Sequence, residues 1–204
     1  MMITRCQPKF VPQVARLFCI AFSDSIGFFA ADTPEIREAA EDVFGLLMNT
    51  YNDSFFVAVD AQDRIAGYIV VTDSIKRLWL KALTGGYAFR AAGKFLAGRY
   101  GIGMRSLYRM ALNKLFYIRF NRSARGSGQV LSVAVHPDCR SMGIGKQLIE
   151  RGLACLKEKG VNTVKLEVRP GNMPALRLYQ GFGFGETGRM KDLQGEWIVM
   201  ELPL

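Results

Sequence analysis

A short glycine-containing loop gives the clearest pattern for binding an anion in this sequence. It consists of Arg140, Ser141, Met142, Gly143, Ile144 and Gly145, with Lys146 directly after it. Glycine lets backbone N–H groups approach a ligand because no Cβ stands in the way. If a helix begins here, its first turn adds unpaired N–H groups at the positive end of the helix dipole. Together with the side chains of Arg140 and Lys146, the loop predicts a site suited to a pyrophosphate.

The residues around this loop predict a strand before it and a helix after it. Gln129 to Val135 has the apolar alternation of a strand, and Pro137 ends that strand before a helix that runs to about Lys159. A second strand, Thr163 to Val168, and a short helix, Pro174 to Gln180, follow. The loop is therefore expected at a strand-to-helix junction, where a helix dipole can point at a bound anion.

The rest of the chain predicts further strands and helices. We expect a strand at Met2 to Arg5, a helix with an apolar face between Val11 and Phe22, and a helix capped by Thr33 that ends near Asn52. The apolar stripe of this last helix is Ile36, Ala40, Val43 and Leu47. Aromatic and β-branched runs separated by turn residues predict two hairpins, Ser54 to Val59 with Ile65 to Thr72 and Glu186 to Lys191 with Glu196 to Leu202.

The stretch from Val133 to Leu148 resembles the coenzyme A binding motif of the Gcn5-related N-acetyltransferase (GNAT) superfamily. The second half of the family pattern is matched, in order and at the usual spacing, by Leu166-Glu167-Val168, Asn172, Ala175, Leu178-Tyr179 and Gly183-Phe184. The similarity is close from about residue 129 to 202. It implies an α/β fold in one domain over residues 1–204, with a central, mostly antiparallel mixed sheet of about six or seven strands, splayed at its centre and flanked by helices.

The resemblance also implies how acetyl-CoA, the acyl donor of the family, is bound, with no metal. The backbone of Val133 and Val135, on either side of Ala134, would pair with the pantetheine arm as an added strand would. The amides from Ser141 to Lys146 would hold the pyrophosphate. The thioester would lie between residues 133–135 and 166–168, and the amine would enter from the opposite side.

Two side chains match family positions that move protons. Tyr179 matches a tyrosine that can protonate the departing thiolate; the alternative is a buried tyrosine that packs its helix. Glu167, within Leu-Glu-Val-Arg, is similar to a glutamate of the ribosomal-protein alanine acetyltransferase branch that acts as a base through water. Alternatively, it is a solvated strand residue or pairs with Arg169 or Arg177. Asn172 matches an asparagine near the coenzyme, and it could equally cap the helix before Pro174.

The function that the resemblance implies is direct transfer of an acetyl group to a primary amine. A peptide N-terminus, a lysine and a small amine are all possible acceptors. A peptide N-terminus or a small amine needs the least help from a base to lose its proton. An α-amine of pKa about 8 is neutral about one time in ten at pH 7, whereas a lysine of pKa about 10.4 is neutral about once in 2,500. The alternatives are a non-catalytic coenzyme A sensor or scaffold and an RNA- or ribosome-associated protein.

A basic segment, about residues 74–128, departs from the family pattern, which joins the neighbouring strands briefly. It carries twelve Lys or Arg and no Asp or Glu, while the other residues carry fifteen basic and eighteen acidic side chains. Helical spacing of its apolar residues predicts two or three short helices. They could form a lid whose apolar side chains pack on the core, or they could bind RNA, an anionic membrane or an acidic substrate.

The remaining composition narrows the classes of site. The four cysteines, Cys6, Cys19, Cys139 and Cys155, lack the spacing of a zinc site or a disulfide framework. The single histidine, His136, precedes Pro137 and is expected to be a loop residue. No apolar run approaches the roughly 20 residues that span a bilayer, and the start lacks a secretory pattern, so we expect a cytoplasmic protein. The family resemblance leaves a homodimer open.

Overall fold

A seven-stranded mixed sheet forms the centre of the computed structural model, which describes residues 1–28, 33–103, 106 and 126–204. The strands are β1 (Met2–Arg5), β2 (Phe55–Val59), β3 (Ile65–Thr72), β4 (Ser127–Val135), β5 (Thr163–Val168), β6 (Gly185–Asp192) and β7 (Gly195–Pro203). Their order in the sheet is β1-β2-β3-β4-β5-β7-β6, and every neighbouring pair is antiparallel except β4 and β5. The fold class expected from the sequence is confirmed.

Helices cover both faces of this sheet. The helices of the described residues are α1 (Val11–Ala21), α2 (Ser23–Gly27), α3 (Pro34–Thr50), α4 (Ile75–Thr84), α5 (Tyr87–Leu96), α6 (Ile144–Glu158) and α7 (Met173–Gly181), of which α4 and α5 pack beside α3. The predicted start of α3 is confirmed, because the Thr33 hydroxyl accepts a hydrogen bond from the Ile36 amide at 3.4 Å. The third basic helix expected near residues 107–118 lies outside the described residues.

Two hydrophobic cores lie on opposite faces of the sheet. One packs α6 and α7 against the sheet, with Leu148, Leu156, Leu166 and Met200 at its centre. The other packs α1 and α3 against the opposite face, around Val14, Phe55 and Tyr68. The predicted stripe of α3 is wrong at one position: Val43 is 55% exposed, and Phe44 is buried instead, in edge contact with Tyr68.

The sheet opens at its centre, between β4 and β5. These parallel strands pair only at residues 127–129 with 163–165, although both continue beyond that point. A β-bulge lies next to the opening, since Val70 faces Ser132 and Val71 faces Val130, which leaves Leu131 without an opposite residue. Bulges redirect a strand and are common beside active sites. The fold therefore leaves one edge of β4 unpaired over residues 130–135, among the strands described.

The basic helices α4 and α5 pack only their inner sides on the protein. None of their residues is buried, and the side chains of Trp79, Leu83, Phe89 and Leu96 are more than half exposed. The expectation that the apolar residues of a helical lid pack on the core is therefore wrong for these four. Within the described ranges, no helix is long and apolar enough to cross a membrane.

Candidate functional site

The glycine-containing loop joins the open end of β4 to the N-terminus of α6. A 3-10 turn, Pro137–Cys139, leads into the loop, and α6 begins at Ile144. Ser141 and Gly143 both adopt left-handed backbone conformations, with φ of 63° and 76°. For Ser141 this costs about 1–2 kcal/mol, and such strain is concentrated at ligand-binding loops. The conformation of the loop thus depends on the left-handed backbone at these two residues.

The backbone amides of this loop form an uninterrupted row of free donors. None of the described residues accepts a hydrogen bond from the amides of residues 141–146, whereas the next amide, that of Gln147, donates to Gly143 O at 3.1 Å. Gly143 precedes the helix and has no side chain that could cap it. Six unpaired N–H groups at a helix N-terminus form a site that an anion can occupy.

The side chains around the loop leave this row accessible. Arg140 and Met142 are exposed, and Lys146 is exposed beside Glu150, with 3.9 Å between Nζ and Oε1. Gly145 lies against the next helix, where an added Cβ would stand 3.4 Å from Leu178 Cδ2. A small residue here lets α6 approach α7 closely, which holds the loop at the open end of the sheet.

The three β4 residues predicted to contact the pantetheine arm lie beyond the last β4–β5 pair. Val133 and Val135 pack against the core beneath α6 and α7, whereas Ala134 belongs to the opposite core. This alternation fixes the strand in the sheet through β3, which pairs with residues 129–135 apart from the bulge. The other backbone edge of β4 faces the opening, so its N–H and C=O groups could pair with an extended ligand.

Glu167 lies where the two central strands begin to separate. Its Oε2 accepts a hydrogen bond from Gln129 Nε2 at 3.1 Å, and its Oε1 lies 3.3 Å from Lys165 Nζ. Gln129 and Lys165 face each other in the last β4–β5 pair. The side chains of Glu167 and Lys165 are each only 11% exposed. The carboxylate is therefore held in a defined position at the base of the opening.

This environment contradicts two alternatives for Glu167. A side chain that is 11% exposed is not a solvated strand residue. The predicted arginine partners are also wrong: Arg169 donates to Gln194 Oε1 at 2.8 Å and lies over the Trp197 ring, and no described residue pairs with Arg177. Glu167 instead pairs with Lys165, which lies two residues before it and therefore on the same face of β5.

Tyr179 is buried on α7, in edge contact with the ring of Phe184 at 5.9 Å between centroids. Burial raises the pKa of Tyr179 to about 12. Among the described residues, none forms a hydrogen bond with its hydroxyl, and Trp197 Nε1 is the only fully buried side-chain nitrogen or oxygen without a partner. The ring thus packs the helix, and the phenol keeps its proton and a free donor.

The two remaining polar candidates have local structural roles. Asn172 Oδ1 accepts a hydrogen bond from the Ala175 amide at 3.3 Å, which confirms that it caps α7. His136 Nδ1 accepts from the Asp138 amide at 3.4 Å, as expected of a loop histidine. The part of the chain that the structure describes holds no group of three or more His, Cys, Asp or Glu suited to a metal ion.

Sequence reasoning missed a link on the other side of the opening. Arg169, at the end of β5, binds the turn between β6 and β7 through Gln194, and Gln194 Nε2 donates to Ser25 O of α2 at 3.1 Å. The guanidinium also lies 3.8 Å from the centre of the Trp197 ring. These contacts join three separate parts of the chain beside the end of β5. Their sequence separation left no local pattern to find.

Comparison with known proteins places this arrangement in a family. The sequence model of the acetyltransferase (GNAT) family matches residues 22–184. The chain therefore belongs to the GNAT acetyltransferase family, as the resemblance of its motifs predicted.

Individual relatives show where the similarity lies. The chain is 35% identical over 81 residues to the ribosomal protein bS18-alanine N-acetyltransferase of Escherichia coli, which covers 37% of this chain and 55% of that protein. It is 35% identical over 100 residues to the mycothiol acetyltransferase of Thermobispora bispora, covering 47% of this chain and 31% of the relative. The match thus spans about half the length of the first of these relatives and a third of the second.

A solved structure of a relative has the same fold. The ribosomal-protein-alanine N-acetyltransferase from Brucella melitensis superposes with a TM-score of 0.63 at 16% identity, covering 100% of both chains. At that identity the likeness concerns the fold alone.

Proposed function

We propose that this protein transfers the acetyl group of acetyl-CoA to the α-amine of a peptide. The observation that carries the proposal is the row of six unpaired amides at residues 141–146, directly after the unpaired edge of β4. The amides suit the pyrophosphate of the coenzyme, and the strand edge suits the amide groups of its pantetheine arm. The thioester then reaches the opening between β4 and β5, near Glu167.

The reaction is a direct displacement at the thioester carbonyl. The neutral amine nitrogen attacks the carbonyl carbon, the tetrahedral intermediate expels the thiolate, and the nitrogen loses one proton. The thiolate leaves with its negative charge and is then protonated by water. Glu167 is fixed by Gln129 and Lys165 at the base of the opening, so it can receive the amine proton, directly or through one water. The amine thereby becomes an amide and the carboxylate carries the proton away.

Tyr179 supplies a hydrogen bond to the departing sulfur. Its phenol has no competing partner among the described residues, and its pKa of about 12 keeps it protonated near neutral pH. An alkyl thiol has a pKa of about 8.5, so complete transfer of the phenolic proton is uphill by roughly 5 kcal/mol. Tyr179 therefore acts mainly as a donor that stabilises developing negative charge, with a smaller contribution than a strong acid would make.

The α-amine is the acceptor that this site serves most readily. One carboxylate, partly neutralised by Lys165, is the base available among the candidate residues described. At pH 7 an α-amine needs only about tenfold help to become neutral, whereas a lysine needs about 2,500-fold. A peptide N-terminus also agrees with the relative named for alanine N-acetylation of a ribosomal protein.

Three acceptors in a thiol-release assay with acetyl-CoA test this proposal. The first is a peptide with a free N-terminal alanine and no lysine, the second is the same peptide with a blocked N-terminus and one lysine, and the third is a pool of polyamines and aminoglycosides. We expect release with the first peptide and a matching gain of one acetyl group. Release only with the other acceptors would contradict the peptide acceptor. Thermal stabilisation by coenzyme A without any release would favour a sensor.

A further inference from the structure

The outer faces of α4 and α5 form a surface that acetyl transfer does not use. α5 runs antiparallel to α3 and is fixed to it at both ends: Asn49 donates to the Tyr87 hydroxyl at 2.8 Å, and Lys94 lies 3.0 Å from Glu38. α4 packs Leu78 toward the core beneath α1 and α3. Because the inner sides are occupied in this way, the opposite sides of both helices point away from the protein.

These outer sides carry large apolar side chains at helical spacing. On α5, Phe89 is 77% exposed and Leu96 is 84% exposed, with the exposed Ala92 and Gly93 between them. Positions 89, 92, 93 and 96 follow the spacing i, i+3, i+4, i+7 of one helix face. On α4, the exposed apolar residues are Trp79, Leu80 and Leu83. We call these two stripes together the outer face.

Basic side chains border the outer face without acidic ones. Residues 74–103 contain six Lys or Arg and no Asp or Glu. Three of the six pair with acids, in that Arg77 binds Asp73, and Lys94 and Arg99 bind Glu38 of α3. The exposed Lys76, Lys81 and Arg90 form no ion pair with any described residue. Lys76 shares the i, i+3, i+4, i+7 spacing of Trp79, Leu80 and Leu83, while Lys81 directly follows Leu80 and Arg90 directly follows Phe89. The outer face thus combines exposed apolar side chains with exposed cations on and beside it.

The positive charge and the apolar side chains of the outer face favour one kind of partner. We propose that the outer face of α4 and α5 is a docking surface for an anionic lipid bilayer. Short helices with leucine and aromatic residues on one face and Lys or Arg beside them lie in the membrane interface, where the apolar side chains enter the acyl boundary and the cations meet lipid phosphates. Each helix has ten residues and is about 15 Å long, so it can lie on a bilayer but not cross it.

A groove beside α4 adds donors for a lipid headgroup. It has a volume of about 350 Å³ and is lined by Asn49, Asn52, Arg77, Lys81 and Leu80. Leu80 belongs to the outer face, so a lipid whose chains contact Leu80 brings its phosphate toward Lys81 and Asn52, since the side-chain amide of Asn49 already donates to Gly45 O and to the Tyr87 hydroxyl.

Other occupants fit the outer face less well. A nucleic acid offers bases that stack on aromatic rings, but three of the five large apolar residues are leucines, which have no ring. A second copy would bring Lys76, Lys81 and Arg90 against the same cations. Residues 104–125 of this chain contain six Lys or Arg and no acid, so their sequence offers no negative charge to complement these cations.

Sedimentation of the full chain with lipid vesicles tests the proposal, independently of acetyl transfer. We expect binding to vesicles of phosphatidylcholine with about 30% phosphatidylserine, and far weaker binding to phosphatidylcholine alone, because each cation near an anionic surface strengthens binding about fivefold. Phe89→Ser with Leu96→Ser should weaken binding at least tenfold, since each side chain loses its burial in lipid. Lys76→Gln with Lys81→Gln and Arg90→Gln should weaken it roughly a hundredfold.

Matched controls distinguish docking through the outer face from nonspecific binding to vesicles. Met2→Ser with Ile20→Ser removes two exposed apolar side chains elsewhere, and it should leave vesicle binding unchanged. The chain has two tryptophans, and only Trp79 is on the outer face. A blue shift of tryptophan fluorescence on adding anionic vesicles should therefore disappear in Trp79→Phe, although Trp197 remains.

Three results would overturn the proposal. The first is an absence of binding to anionic vesicles, or equal binding by the wild type and the outer-face variants. The second is salt-dependent retention by single-stranded RNA without any binding to vesicles. The third is a concentration-dependent dimer, seen by analytical ultracentrifugation, that Phe89→Ser with Leu96→Ser dissociates.

Discussion

Replacing Glu167 by glutamine gives the most informative test of the proposed chemistry. The substitution keeps the shape of the side chain and one acceptor for Gln129, but it removes the charge and the ability to take a proton. General base catalysis typically contributes about 10²- to 10⁴-fold to a rate. We therefore expect Glu167→Gln to lower kcat at least a hundredfold with an α-amine acceptor.

The dependence of this loss on pH distinguishes two roles of the carboxylate. An α-amine of pKa about 8 is neutral about one time in ten at pH 7 and about nine times in ten at pH 9. If Glu167 only deprotonated the ammonium before attack, the loss would shrink from about tenfold at pH 7 to almost nothing at pH 9. A base in the transition state gives a similar loss throughout, and this is the result we expect from initial rates between about pH 6 and 9.5.

Stability must be measured alongside the rate, because Glu167→Gln removes the carboxylate that lies 3.3 Å from Lys165 Nζ, in a site where both side chains are 11% exposed. Breaking a buried pair costs about 3–5 kcal/mol, and we expect roughly 2 kcal/mol here because some exposure remains, which lowers the melting temperature by roughly 4–8 °C. Adding Lys165→Met should restore the melting temperature but not the rate. Glu158→Gln, at an exposed pair with Arg151, is the matched control and should change neither. Unchanged turnover in Glu167→Gln across this pH range would refute its assignment as base.

Three further results are expected. Tyr179→Phe keeps the packing on Phe184, so it should lower kcat about 10- to 100-fold while the melting shift caused by coenzyme A stays unchanged; loss of that shift would contradict a role confined to the reacting sulfur. Because burial raises the pKa of Tyr179 to about 12, the folded state holds this proton more tightly than the unfolded state. The stabilisation that results is fully present below about pH 10, and above it the free energy of unfolding falls by up to about 1.4 kcal/mol per pH unit. Urea unfolding at several pH values should show a shallower fall in Tyr179→Phe. Gly143→Ala should cost about 1–2 kcal/mol of stability because φ is 76°, and it should weaken coenzyme A binding measured by isothermal titration. The control is Gly160→Ala, with φ of 73° at the other end of α6, which should cost the same stability and leave coenzyme A binding unchanged.

Local patterns predicted most of the elements, because those signals depend on neighbouring residues alone. The Thr33 cap, the hairpin of β2 and β3 and the hairpin of β6 and β7 all follow from propensity, spacing and turn chemistry. The predicted apolar stripe of α3 was wrong at Val43 because Val43 and Phe44 both lie at the edge of the helix face. Which of the two is buried depends on the tertiary packing around them. The insertion of β7 between β5 and β6 has no local signal at all.

In the candidate site, too, local features could be predicted from the sequence and contacts between distant residues could not. The glycine-containing loop could be predicted, since its function depends on backbone geometry that glycine encodes. The contact of Gln129 with Glu167 could not, because the two residues lie 38 positions apart and meet only where β4 and β5 stop pairing. Periodicity showed which residues of α4 and α5 share a face, but it could not show that large apolar side chains of this face, such as Phe89 and Leu96, are exposed.

The most direct test of the central claim is thermal melting with coenzyme A and acetyl-CoA, followed in the same sample by thiol release on adding the alanine-initiated peptide. A ligand at a hundred times its dissociation constant stabilises the native state by about 2.7 kcal/mol, so the melting temperature should rise by roughly 5–10 °C. We predict this rise together with peptide-dependent release of thiol and formation of acetylated peptide. No rise at millimolar coenzyme, with no release, would contradict the account of the loop, the open sheet and the reaction.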